Sequence, residues 1–239
     1  MYEIGSAIRS EDLWYITEYA MGYMLFEYNS TTSNSNSNKD LLKIPSNIYT
    51  LPMPFSGTDH AVARHASDDS RIFYYQISST TSILGYNVKD DKSVQKELFF
   101  DRKPLYKNSA SEIDLEFDEQ FLYTIFREKN NTVLTILKLH PWSLKQLEKY
   151  QIIIHFGDNV INSFISCHIF YIVKEDTVTN IKIEPIYDLH KKEYIKIGAV
   201  ENVAKWKSFG IPTNVQFDSS SQTLNVFDKG NIYSLFISR

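Results

Sequence analysis

The residues best placed for chemistry lie in Ile113-Asp114-Leu115-Glu116-Phe117-Asp118-Glu119, where an acid falls at every second position. Strict alternation predicts a strand with Ile113, Leu115 and Phe117 on one face and Asp114, Glu116 and Asp118 on the other. Carboxylates so spaced admit two readings. As the pairs Glu112/Asp114 or Asp114/Glu116 they would serve as glycosidase acid and base. As strand-end groups, Asp114 and Asp118 would be solvated or hydrogen-bonded and do no chemistry. No cluster of sugar-stacking aromatics can be placed beside the pairs. The six histidines form neither HxH nor HExxH spacing, which argues against zinc. Gly-x-Ser-x-Gly, a phosphate loop and a dinucleotide fingerprint are all missing from the sequence.

The elements that must hold these acids are short and extended. Strand-like runs include Leu13–Ile16, Tyr23–Tyr28, Ala61–Arg64, Ile72–Tyr75, Ser82–Tyr86, Val133–Leu139, Tyr150–Ile154, Asn214–Asp218, Thr223–Asp228 and Asn231–Phe236. No long amphipathic helix interrupts them, so the chain is predicted all-β. Grouping into hairpins with polar outer strands favours a propeller over a two-sheet sandwich. The ten residues Asn29 to Asn38 contain only Asn, Ser and Thr, which marks a surface loop, not a domain boundary. Residues 1–239 are therefore read as one domain.

With 239 residues and 43% hydrophobic content the chain can bury a full core. Its net charge of −4 is spread among interleaved bases and acids, which argues against nucleic-acid binding. Glu3, Arg9, Glu11 and Asp12 break any secretory signal near Met1, and no apolar run reaches the roughly 18 residues of a membrane span. The single cysteine, Cys167, lies among Ile165, Ile169 and Phe170 and is expected to be buried and unreactive.

Four segments in order resemble the olfactomedin domain. They are Leu13-Trp14-Tyr15-Ile16 with Leu25-Phe26-Glu27-Tyr28, then Leu51-Pro52 to Gly57-Thr58-Asp59, then the acidic strand followed by Asn162-Ser163-Phe164-Ile165-Ser166-Cys167, and lastly Phe217-Asp218 to Leu224-Asn225-Val226-Phe227-Asp228. The resemblance implies a five-bladed β-propeller and an extracellular, non-catalytic module that binds a protein partner at cell-cell or cell-matrix contacts. It also implies a calcium ion in the central channel. Carried over by position, the ligands would be Asp114, Asn162, the carbonyls of Ser163 and Val215, and position 216. That position holds Gln216 where the family has an acid, so the site is expected to bind calcium weakly. The family pairs the cysteine matching Cys167 with one near the domain's N-terminus. This chain starts after that point, so the domain is expected to lack its N-terminal cysteine segment.

Two acceptor sequons begin at Asn29 and Asn130, which suits an extracellular glycoprotein. Trp206, read as part of a loop before the last blade, is the expected contact residue for the partner. Oligomerisation, if any, would run through segments outside this chain. The alternatives left open are a metal-dependent, lactonase-like propeller hydrolase using the channel acids, and an intracellular scaffold.

Overall fold

A computed structural model describes residues 3–29, 44–65, 67–118, 120–128, 133–154, 159–177, 180–196 and 204–236. Among them there is no helix, and so none long and apolar enough to cross a membrane. Strands β1 (Gly5–Ser10), β2 (Leu13–Glu18) and β3 (Met21–Asn29) form an antiparallel meander with the first part of β4 (Asn47–Arg64). The rest of β4 continues through β5 (Arg71–Ile77), β6 (Ser82–Asn87) and β7 (Ser93–Glu97). A third meander holds β8 (Ile113–Phe117), β9 (Leu122–Arg127), β10 (Val133–Leu139) and β11 (Gln146–Ile153). The fourth comprises β12 (Val160–Ser166), β13 (Ile169–Thr177) and β14 (Asn180–Asp188), with the short β15 (Glu193–Tyr194) and β16 (Lys205–Lys207) both paired to β14. The last is β17 (Asn214–Asp218), β18 (Thr223–Asp228) and β19 (Asn231–Phe236).

The unbroken seven-stranded sheet is two blades joined through β4. Asn47 to Ser56 pair with β3, whereas Phe55 to Arg64 pair with β5, and the register shifts between Ser56 and Ala61. Gly57 makes the change of partner possible. Its φ is +86°, and an added Cβ would stand 2.7 Å from Ser111 Oγ. The strand also absorbs Pro52 and Pro54, because pairing with β3 jumps from Thr50 to Phe55 and leaves the stretch between them bulged. This is why the Leu-Pro turn legible in the sequence lies inside a long strand.

Closure is shown by packing. The innermost strands contact one another in the cycle β1, β4, β8, β12, β17 and back to β1. Hydrophobic clusters fill the seams between blades: Ile8, Tyr15 and Phe73 between the first and second, Ala61, Tyr74 and Leu115 between the second and third, Tyr123, Ile136 and Phe170 between the third and fourth. Phe164, Val173 and Val226 fill the next seam, and Trp14, Ile16 and Phe227 join the last blade to the first. A ring of five blades with a filled seam at each junction is a five-bladed β-propeller, as the olfactomedin resemblance implied. The opening hairpin is also as expected, with Trp14 opposite Tyr28.

Candidate functional site

The innermost strands bring a polar layer to the axis. Asp114 on β8 is 1% exposed and Glu116 2%, so the acidic face of this strand meets protein and not solvent. The solvated reading of Asp114 is thereby corrected: on an innermost blade strand both faces are inside. Asp114 Oδ2 accepts hydrogen bonds from Tyr106 Oη and from Ser163 Oγ, the latter at 2.8 Å. Ser163 thus brings its hydroxyl to the site, beyond the carbonyl expected of it. Asn162, next to it on β12, donates Nδ2–H to Asp59 Oδ1 at 2.9 Å and accepts the Ser163 N–H at its Oδ1 at 2.9 Å.

Asp59 is the residue that sequence reasoning missed, although Gly57-Thr58-Asp59 was visible as a turn. The backbone amides of Thr58 and Asp59 donate to Ser111 Oγ at 2.8 and 3.1 Å, and Asn214 Nδ2 donates to the Thr58 carbonyl at 3.2 Å. These contacts, with the left-handed Gly57, aim the Asp59 carboxylate at Asn162 across the axis. Nothing in the sequence marked Tyr106 or Asn214 as partners of this layer.

Burial dominates the electrostatics. It raises the Asp59 carboxyl to about 6, against the lowering effect of hydrogen bonds from Asn162, Ser111 and Asn214. Asp114 is held well above the carboxylate range by burial first and the Asp59 charge second. Glu116 rises for the same reason, with the charges of Asp114 and Asp59 added to its burial. Among the described residues, Asp59 Oδ2, Asp114 Oδ1, Glu116 Oε1 and Asn214 Oδ1 are buried without a hydrogen-bond partner. Oxygen donors of this kind suit a hard cation such as calcium. No three His, Cys, Asp or Glu side chains among the described residues converge as a metal-binding group, so a cation here would rely on amide and carbonyl oxygens beside the acids.

At Gln216 it is the amide nitrogen whose contacts the structure gives. Its Nε2 donates to the carbonyls of His60 and Leu115, the second at 3.2 Å, and so ties β17 to β4 and β8. Val215 buries its side chain in the seam between the fourth and fifth blades, which leaves only its carbonyl for any ligand. Asp118 is a hydrogen-bonded strand-end acid that accepts the Phe121 N–H at 2.8 Å and the Tyr123 hydroxyl at 2.8 Å. Asp218 likewise caps the Ser220 and Ser221 turn.

Two further expectations are corrected. Cys167 is exposed, not buried, because it and His168 form the hairpin turn between β12 and β13 with φ of +51° and +63°. Two consecutive positive φ values define the tight turn that matches strand twist. The turn lacks the usual Gly or Asn, so the sequence reads as one continuous strand. Trp206 lies on β16, not in a loop. It is half-buried against the Val215 and Val226 cluster, and its Nε1–H donates to Tyr233 Oη at 3.1 Å. Of the sequon residues, Asn29 ends β3 opposite Leu13, and Asn130 lies outside the described residues.

A cavity of about 240 Å³ opens at one end of the axis between Ile8, Arg9, Arg64, Phe117, Gln216 and Asp218. A neighbouring one of about 250 Å³ is bounded by Asp118, Ile165, Cys167, His168 and Phe217. Asp59, Asp114 and Glu116 line neither. The buried acids are thus sealed from both depressions.

Comparison with known proteins agrees with this architecture. A solved GH43 glycoside hydrolase, engineered for endo-xylanase and exo-arabinofuranosidase activity, superposes with a TM-score of 0.51 and 11% identity, covering 97% of this chain and 49% of that one. The chain spans about half the length of that enzyme, and likeness at this identity shows the fold alone. The family model described as the olfactomedin-like domain matches residues 3–237. That match takes in every blade and both strands that carry Asp114 and Asn162, and so the chain belongs to the olfactomedin-like domain family.

Proposed function

We propose that this domain is an extracellular protein-binding module acting at cell-cell or cell-matrix contacts, without catalysis. The observation that carries this reading is an apolar surface on the first blade. Met21 is 63% exposed, Tyr23 51% and Ile48 55%, and Met24 and Met53 on the same two strands are exposed as well. Isolated surface hydrophobics are ordinary, but several Met and aromatic side chains gathered on neighbouring strands are the composition of a protein-docking surface. Membership of the family supports the same reading. The sequons at Asn29 and Asn130 support an extracellular setting.

The channel acids support structure over catalysis. A glycosidase or metal-dependent hydrolase needs its carboxylates or an open coordination position facing a substrate cavity. Here the three acids are at most 3% exposed and line neither cavity at the axis. In our reading the layer holds a calcium ion that braces the blades, with Asp114 as its principal ligand.

The test is to display the tagged domain to intact cells and to purified matrix, and to assay the same preparation on glycosides, lactones and phosphoesters. Saturable binding without turnover is expected. Metal-dependent turnover that disappears in Asp114→Asn would replace this reading with the hydrolase.

A further inference from the structure

Carried over by position, Asp114 would share the ion with Gln216, which stands where the family has an acid and turns its amide nitrogen to two carbonyls. A cation left with a single carboxylate would be held poorly, because affinity follows ligand charge. The missing charge is nevertheless present in the layer, on a different blade.

Asp59 is 3% exposed, and its Oδ1 is fixed by Asn162, a residue of the expected ligand set. Its Oδ2 has no partner, as is true of Asp114 Oδ1. A buried carboxylate oxygen without a donor is costly, and native proteins answer such groups with hydrogen bonds, counter-charges or metal ions. The ion pairs formed by the described residues do not involve Asp59, Asp114 or Glu116. Two residues before Gln216, on the same face of β17, Asn214 donates Nδ2–H to the Thr58 carbonyl, next to Asp59, at 3.2 Å and keeps a buried Oδ1 without a partner. Asn214 is thus the side chain on β17 that brings an unpartnered oxygen beside Asp59.

We propose that Asp59 supplies the second carboxylate of the channel cation site and Asn214 the oxygen from β17, with Gln216 acting as a hydrogen-bonded strut. This rests on the reading that the layer holds a cation. Where Gln216 alone would make the site weak, Asp59 restores its charge from β4.

The experiment is calcium titration of the full, chelator-stripped chain by calorimetry, with thermal denaturation alongside. The parent is expected to bind one calcium. Asp59→Asn should weaken binding by about tenfold or more, since one ligand charge is lost, while Gln216→Met should change the dissociation constant by less than about threefold. The double variant Asp59→Asn with Asn214→Asp should regain binding relative to Asp59→Asn. A folded parent that binds no calcium overturns both the cation reading and this assignment. A parent that binds, with Asp59→Asn binding equally well, overturns the assignment alone. Should Asp59→Asn fail to fold, a crystal of the parent grown in calcium decides. Asp59 Oδ2 within about 2.3–2.6 Å of the ion supports the assignment, and a bound ion with Asp59 turned away ends it.

Discussion

Asn162 on β12 donates its amide N–H to Asp59 Oδ1 on β4 at 2.9 Å, joining residues 103 apart in sequence. These strands belong to the second and fourth blades, which are not neighbours in the ring, so the bond crosses the axis. Seams between adjacent blades are closed by hydrophobic packing. This strut is polar, and it links the residue that sequence made prominent to the one it hid.

Breaking the strut from the Asn162 side should be costly. Asn162→Leu leaves Asp59 Oδ1 and the Ser163 amide buried without partners, a loss of about 2–4 kcal/mol for an acceptor and a donor together. Urea denaturation in chelator should show the midpoint falling with an unchanged slope. A loss below about 0.5 kcal/mol would mean that the layer rearranges freely around the missing amide.

His60 sets a pH dependence that can be isolated. It is buried between Phe55 and Phe73, with ring centroids 5.2 Å away on each side, and its Nε2 has no partner. Burial lowers its pKa from 6.5 to about 3. A depressed folded-state value means that stability is fully present above the unfolded value near 6.5 and is lost as pH falls toward 3. Between pH 6.5 and 5 the loss is about 2 kcal/mol. Asp59, with its raised value, works in the opposite direction, so the parent alone would blur the effect. The difference between the parent and His60→Phe should grow by about that amount as pH falls to 5. A difference that stays constant with pH would place His60 in a wetter setting.

The turn at Cys167 gives a third expectation. The thiol is exposed at a hairpin tip. It should react with a disulfide reagent in the folded protein at a rate within about tenfold of the urea-unfolded chain, because access and thiolate fraction govern such exchange. Protection by several orders of magnitude would return Cys167 to the core.

The acidic strand was legible because alternation on β8 is a local property of five residues. The opening hairpin was legible for the same reason. What escaped the sequence is what the ring creates. Asp114 is sealed because β8 is the inner strand of its blade, and no residue near it in sequence says so. Asp59 was hidden inside a turn signal, since Gly57 and two prolines mask a strand that changes partners halfway. Trp206 looked exposed because a three-residue strand has no periodicity to read, yet pairing of Ile181 with Trp206 holds it against the last blade. The Met21 and Tyr23 surface was passed over because strand β3 reads as an ordinary alternating strand until its bulge turns both Tyr23 and Met24 outward.

We propose docking of a protein on the first-blade surface. Its most direct measurement is the dissociation constant for cell-surface or matrix binding of the parent against Met21→Asp combined with Tyr23→Ser, read by titration. At least about a tenfold weakening is expected, the 1.4 kcal/mol of one good interface contact, with a melting temperature within about 2 °C of the parent because both side chains are exposed. Equal binding by the double variant, with its fold intact, would contradict it.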